Sequence, residues 1–96
     1  MLTSKQRSYL RKLANKENAI LQIGKGGISP SLVEQVKEAL EARELIKIHV
    51  LDNSNLTPKT ACDALAAETG AQGVQVVGGK FVLYKKSEEN PQIQLP

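Results

Sequence analysis

One stretch, residues 19–51, limits what this chain can fold into more than any other. Ala19-Ile20-Leu21-Gln22-Ile23 is short and mostly apolar, and it ends at Gly24-Lys25-Gly26-Gly27. It reads as a strand, expected in the interior of a sheet. Ser29-Pro30 then opens a helix: Ser29 can cap it, and Pro30 falls where a missing N–H costs nothing. Leu32, Val33, Val36 and Leu40 share one stripe of that helix through residue 43, while Glu34, Lys37, Glu38 and Glu41 face outward. Ser31 and Glu34 offer a second capping pair. Residues 45–51 alternate, with Ile46, Ile48 and Val50 on one face and Lys47 and His49 on the other. Strand, helix and strand in succession force a parallel pair, because only parallel neighbours need so long a crossover.

The flanking segments complete the order. Residues 2–16 read as a helix with a Thr3-x-x-Gln6 capping box. Leu10, Leu13 and Ala14 form its narrow apolar stripe, with Tyr9 at the edge. Arg7 and Arg11 run along one flank, and Lys5, Lys12 and Lys16 along the other. After a turn at 52–56, Thr57-Pro58 starts a third helix by the same cap-and-proline device, with Ala61, Cys62 and Leu65 inward and Gly70 as its stop. Two alternating runs, 73–77 and 80–84, flank Gly78-Gly79, a strong two-residue hairpin signal. A regular ladder pairs Val77 with Lys80, Val76 with Phe81 and Val74 with Leu83. Val74, Val76, Phe81 and Leu83 then meet the core, and Gln75, Val77, Lys80, Val82 and Tyr84 share the open face with Lys47 and His49. The expected architecture is one α/β domain, residues 1–86, in the order α-β-α-β-α-β-β. It has a mixed four-stranded sheet and three helices. Residues 87–96 are expected to form a disordered tail.

Charge is distributed unevenly. The net charge of +3 on 96 residues is modest. Residues 1–25, however, carry +5, residues 26–79 carry −3 and residues 80–96 carry +1. The first helix holds five bases with no acid among residues 1–16. A merely solvated face would mix signs and gain i,i+4 pairs, so a polyanion-binding face is the better reading. The outer face of the second helix does mix signs and reads as solvated.

The inventory excludes several chemistries. One Cys and one His cannot build a zinc site or a disulfide, and nothing positions a third group beside them for nucleophilic catalysis. Cys62 is expected in the core and His49 on a strand face. No apolar run approaches the roughly 20 residues of a membrane span, and the N-terminus lacks a signal-peptide core. A cytoplasmic, non-enzymatic protein with no cofactor, no metal, no membrane and no small-molecule substrate is expected, acting as a monomer. Gly24 to Gly27 is too short for a Walker loop and lacks the dinucleotide pattern. Its G-x-x-G form, between a strand and a helix start, suits approach of a nucleic-acid backbone, with Lys25 as a point charge.

Taken together, Leu2-Thr3-Ser4-Lys5-Gln6-Arg7-x-x-Leu10-Arg11, Ile23-Gly24-Lys25-Gly26-Gly27-Ile28-Ser29, Glu44-Leu45-Ile46-Lys47-Ile48 and Gly78-Gly79-Lys80-Phe81-Val82-Leu83-Tyr84 closely resemble the YhbY-like CRM-domain proteins. CRM stands for chloroplast RNA splicing and ribosome maturation. The resemblance covers residues 2–86. It implies a fold similar to the C-terminal domain of a bacterial translation initiation factor. It also implies RNA binding, with ribosomal RNA in precursors of the large subunit as the expected partner. The family's glycine loop falls on Gly24, Lys25, Gly26 and Gly27, and its basic helix on Lys5, Arg7, Arg11, Lys12 and Lys16. Lys47 and Lys80 join them as candidate RNA contacts. Aromatic content of 3% argues against a base-stacking platform, so phosphate and shape are expected to dominate over base reading. Two rivals remain open: a DNA-binding protein, and a protein–protein adaptor that uses Glu34, Glu38, Glu41 and Glu44.

Overall fold

A computed structural model describes the whole chain, Met1 to Pro96. The elements are α1 (Ser4–Ala14), β1 (Ala19–Ile23), α2 (Pro30–Arg43), β2 (Leu45–Val50), α3 (Pro58–Thr69), β3 (Gln72–Val77) and β4 (Lys80–Tyr84). A single 3-10 turn, Asp52–Ser54, follows β2. This is the α-β-α-β-α-β-β order, in one α/β domain with a mixed sheet of strand order β1-β2-β4-β3. β1 and β2 are parallel; β4 runs antiparallel to both β2 and β3.

Each helix starts where its sequence supplies an acceptor for the free N–H groups of its first turn. The Thr3 hydroxyl accepts from the Gln6 N–H at 3.1 Å, and the Gln6 side chain accepts from the Thr3 N–H at 3.0 Å. Ser29 accepts from the Leu32 N–H at 3.1 Å. Thr57 and Thr60 form a reciprocal pair at 3.1 and 3.2 Å. Gly70 ends α3 at φ +77°, a left-handed turn that glycine adopts without strain.

Helices cover both faces of the sheet. α2 and α3 bury Val36, Leu40, Ala61 and Leu65 against Ile46, Ile48, Phe81 and Leu83. On the opposite face α1 lays Leu10 and Ala14 across Leu45, Val74, Val82 and Tyr84. Every buried side-chain polar atom has a partner.

Three expectations change. β1 is an edge strand, not an interior one, and only Ile23 of its five residues is fully buried. Its apolar run reflects packing of Ile20 and Leu21 at the margin of the core under α2 and α3. The hairpin register holds for Val77 with Lys80, Val76 with Phe81 and Gln75 with Val82, then breaks: Leu83 pairs with Gly73 and not with Val74. Val74 is the extra residue of a bulge, and it packs under α1 with Val82 and Tyr84, which the regular ladder had placed on the open face and α1 buries instead. Val76 is 41% exposed at the hairpin end, outside the core. The bulge fits its surroundings. A Cβ on Gly73 would lie 2.9 Å from the Cys62 sulfur, so α3 approaches β3 where no side chain intervenes.

The third change concerns residues 87–96. They carry no helix or strand, yet they are tied to the domain. Glu44 is fully buried, and its carboxylate accepts from the backbone N–H groups of Ser87 (2.8 Å), Gln92 (2.7 Å) and Ile93 (2.7 Å). Glu41 accepts from the Ser87 hydroxyl at 2.6 Å and from the N–H groups of Glu88 and Glu89. Ile93 and Leu95 rest against the apolar cluster beneath α1. A tail too polar to bury itself is held by charge-assisted hydrogen bonds to two carboxylates. Glu44 also ends α2 at φ +66°, a conformation disfavoured for any residue with a Cβ. The side chain that grips the tail therefore holds a position glycine would fill without strain.

Burial alone would raise the Glu44 pKa, but its three N–H donors outweigh burial and hold it below the ordinary carboxylate value. Glu41 is lowered too, first by the Ser87 hydroxyl. A depressed carboxylate stabilises the fold above its unfolded pKa and loses that contribution as pH falls through the folded value. Glu44→Ala should cost about 2 to 3 kcal/mol in urea melts at pH 7. In Glu44→Gln the fall in stability from pH 7 into the acid range should be shallower than in the parent; equal slopes would place the acid sensitivity elsewhere. Gly73→Ala should cost about 1 to 3 kcal/mol by overpacking against Cys62. An unchanged melting midpoint would show that α3 can move away.

Candidate nucleic-acid interface

The glycine stretch after β1 is a tight turn. The Gly27 N–H donates to the Gly24 carbonyl at 2.9 Å, so Lys25 and Gly26 form its tip. Both are exposed. A Cβ on Gly24 would meet Leu51 and Asn53 at 3.6 and 3.7 Å, whereas one on Gly26 would meet nothing. Gly27 has φ +63°, which a β-carbon makes costly. So Gly27 makes the turn and Gly26 leaves its surface bare. The turn sits at the C-terminal end of the parallel β1–β2 pair, the end at which open α/β sheets commonly receive ligands. The Gly78-Gly79 hairpin arrives at the same end, where the Gly79 carbonyl accepts from the Val50 N–H at 2.8 Å.

The basic residues of α1 divide into three positions. Arg7 donates through one guanidinium nitrogen to the carbonyls of Gly73 and Val74, the bulged segment of β3. A bulge removes ladder partners, and Arg7 satisfies the acceptors it leaves. Arg7, expected to contact RNA, is thus engaged with the protein's own backbone. Arg11 and Asn15 follow it at i+4 and i+8 on the same flank. Arg11 is exposed, and Asn15 lines a groove against the sheet. Lys5, Lys12 and Lys16 are exposed on the other flank.

That groove, of about 360 Å³, lies beyond the end of α1 on the same sheet face. Asn15, Lys47, Gln75, Val77, Gly78, Gly79, Lys80 and Val82 line it. The structure therefore brings Lys47 and Lys80 together, with Lys25 at the adjoining end of the sheet. Of the eight, Lys47 and Lys80 were candidate contacts from the sequence; Asn15 and Gln75 are the polar side chains that were not. Gln75 was legible as an open-face residue, and Asn15 as the next step of the Arg7–Arg11 flank.

The ion pairs are confined to one layer. The ion pairs of the protein are Glu34–Lys37 at 3.8 Å and Asp63–Lys59 at 2.7 Å, both on the outer surfaces of α2 and α3. The Asp63 contact raises the Lys59 pKa. Lys5, Arg11, Lys12, Lys16, Lys25, Lys47 and Lys80 have no carboxylate partner. Lone cations left unpaired on one face give a field that attracts a polyanion.

Cys62 and His49 lie on opposite faces of the sheet. Cys62 is buried among the α2–α3 core residues, and burial pushes its thiol pKa up, away from the nucleophilic form. No three His, Cys, Asp or Glu side chains converge in metal-binding geometry, and no helix is long and apolar enough to cross a membrane.

The model of the CRS1/YhbY (CRM) domain matches residues 2–85. Over all of both chains, the protein is 47% identical to the Bacillus subtilis "Probable RNA-binding protein YqeI". It is 36% identical to a Haemophilus influenzae protein named "RNA-binding protein", covering 99% of this chain and 95% of that one. Neither name is that of an enzyme. The solution structure of the Staphylococcus aureus hypothetical protein SAV1595 superposes along the full length of both chains, with a TM-score of 0.79 at 44% identity. The chain belongs to the CRS1/YhbY (CRM) domain family.

The turn geometry separates two adjacent glycines. Gly26→Val should leave the melting temperature close to the parent value. Gly27→Val should lower stability by about 1 to 2 kcal/mol, because it forces a β-branched residue to positive φ. Equal stability of the two variants would mean that the turn relaxes.

Proposed function

We propose that this protein binds structured RNA without catalysing a reaction on it, and that the RNA is ribosomal RNA in precursors of the large subunit. One observation carries the RNA reading: the exposed bases of α1, the glycine turn and the open sheet face have no carboxylate partner, while the protein's ion pairs sit on the opposite layer. The names of the full-length relatives support the same reading. The ribosomal setting rests on the family resemblance.

The chemistry follows from the groups available. Lys25 presents an ammonium at the tip of a turn whose next residue has no side chain, so a phosphate can approach main chain and charge together. Arg11 extends this contact along α1, and Lys47 and Lys80 extend it across the sheet. Lys5, Lys12 and Lys16 add a second rail on the outer flank. Arg7 serves indirectly, by fixing the bulge against which α1 packs. Of the aromatics, Tyr9 is 37% exposed, while Phe81 and Tyr84 are buried, so stacking contributes little. We take residues 1–86 as the RNA-binding unit, acting as a monomer.

Lys25→Ala should weaken binding to a ribosomal RNA fragment by roughly five- to tenfold and reduce the slope of log K against log salt by about one. A flat salt dependence in the parent would sink the phosphate reading. Duplex DNA should compete less well than the RNA fragment. Proteins recovered with this chain from a lysate should be lost after ribonuclease treatment; partners that persist would favour an adaptor docking on Glu34 and Glu38.

A further inference from the structure

We infer that the groove between the end of α1 and the Gly78-Gly79 hairpin is a seat for one unpaired nucleotide of the bound RNA. This rests on the RNA reading above and adds a selection that phosphate contacts alone do not give. The groove differs from the rest of the surface in its chemistry. No carboxylate lines it, whereas each of four other clefts contains at least one: Glu38, Asp63, Glu17 or Glu34. In three of those clefts an acid offsets the basic side chains present, and the fourth holds acids alone; here Lys47 and Lys80 are unopposed.

The contents suit a nucleotide in particular. Lys47 and Lys80 stand diagonally on the neighbouring strands β2 and β4, close enough to share one phosphate. Val77, 56% exposed, gives an apolar surface for the flat face of a base. Asn15 and Gln75 offer amides, each with both a donor and an acceptor, as base-edge hydrogen bonding requires. None of these four polar side chains has a hydrogen-bond or ion-pair partner within the protein. At Gly78 a Cβ would meet nothing, so the hairpin leaves room for a sugar beside its backbone. The volume, about 360 Å³, is at the small end of ligand sites and admits one nucleotide.

Position points the same way. Lys25 lies at one border of this end of the sheet, and Arg11 on the flank of α1 that leads into the groove. An RNA backbone joining the two passes over the groove, so the nucleotide between them is the one presented to it. A paired base is held in its helix and stays out; an unpaired one can enter. Selection is then for a helix interrupted by a single unpaired nucleotide.

The test compares binding of the full chain to two short RNA hairpins, one fully paired and one with a single unpaired nucleotide in its stem, the latter made with each of the four bases. The parent protein should bind the interrupted stem about tenfold more tightly, with a ranking among the bases. Gln75→Ala, shown by melting to be folded, should bring the interrupted stem down to the affinity of the paired one. Asn15→Ala is the second variant and should act in the same direction. Equal affinity of the parent for both stems would overturn the groove as a nucleotide seat, as would a preference that survives both substitutions. Failure of the parent to bind either stem, with Lys25→Ala making no difference, would overturn the RNA reading itself.

Discussion

α1 is too short to cover the sheet face on which it lies. Its eleven residues span about 16 Å, and it buries only Leu10 and Ala14 fully. Those two side chains anchor it over Leu45, Val74, Val82 and Tyr84, and the capping box fixes where it starts. The C-terminal end of the β1–β2 pair therefore stays open on this face, and Lys47, Gln75 and Lys80 stay in water. The other face is closed by two helices and bears both ion pairs. Partial coverage of one face thus leaves the groove open.

The remaining devices keep that arrangement in place. The β3 bulge turns Val74 toward α1, and Arg7 satisfies the carbonyls there. Gly73 lets α3 come close from the other side. Glu44 accepts a strained backbone and a buried charge, and in return three tail N–H groups converge on it. The tail then carries Ile93 and Leu95 onto the cluster under α1. The strained backbone at Glu44 thus persists where three tail N–H groups converge on its side chain.

Much of this was legible in the residues. Alternation, helical spacing, the Thr3, Ser29 and Thr57 caps and the Gly78-Gly79 hairpin gave every element to within a residue or two at most ends, because each signal is local. What local pattern cannot carry was missed. The edge position of β1 depends on β4 inserting beside β2, a long-range pairing. The bulge depends on the contact between Gly73 and Cys62 across two elements. The ordered tail depends on Glu41 and Glu44, which look in sequence like surface acids of a solvated helix. The solvent-facing positions of Lys25, Lys47 and Lys80 follow from the loop and from strand alternation, which are local. The hydrogen bonds of Arg7 to the β3 bulge, and the groove shared by Asn15 and Gln75, arise only when α1 crosses the sheet.

The proposed function has a direction: RNA would approach the α1 face and the glycine turns, not the outer layer of α2 and α3. Amide chemical-shift mapping of isotope-labelled protein, titrated with a structured ribosomal RNA fragment, tests it most directly. The account predicts that the largest shifts fall on Arg11, Lys25 to Gly27, Lys47 and Gly78 to Lys80, with the outer residues of α2 and α3 unmoved. Shifts centred on Glu34, Lys37, Glu38 and Asp63, with the glycine turns silent, would contradict it.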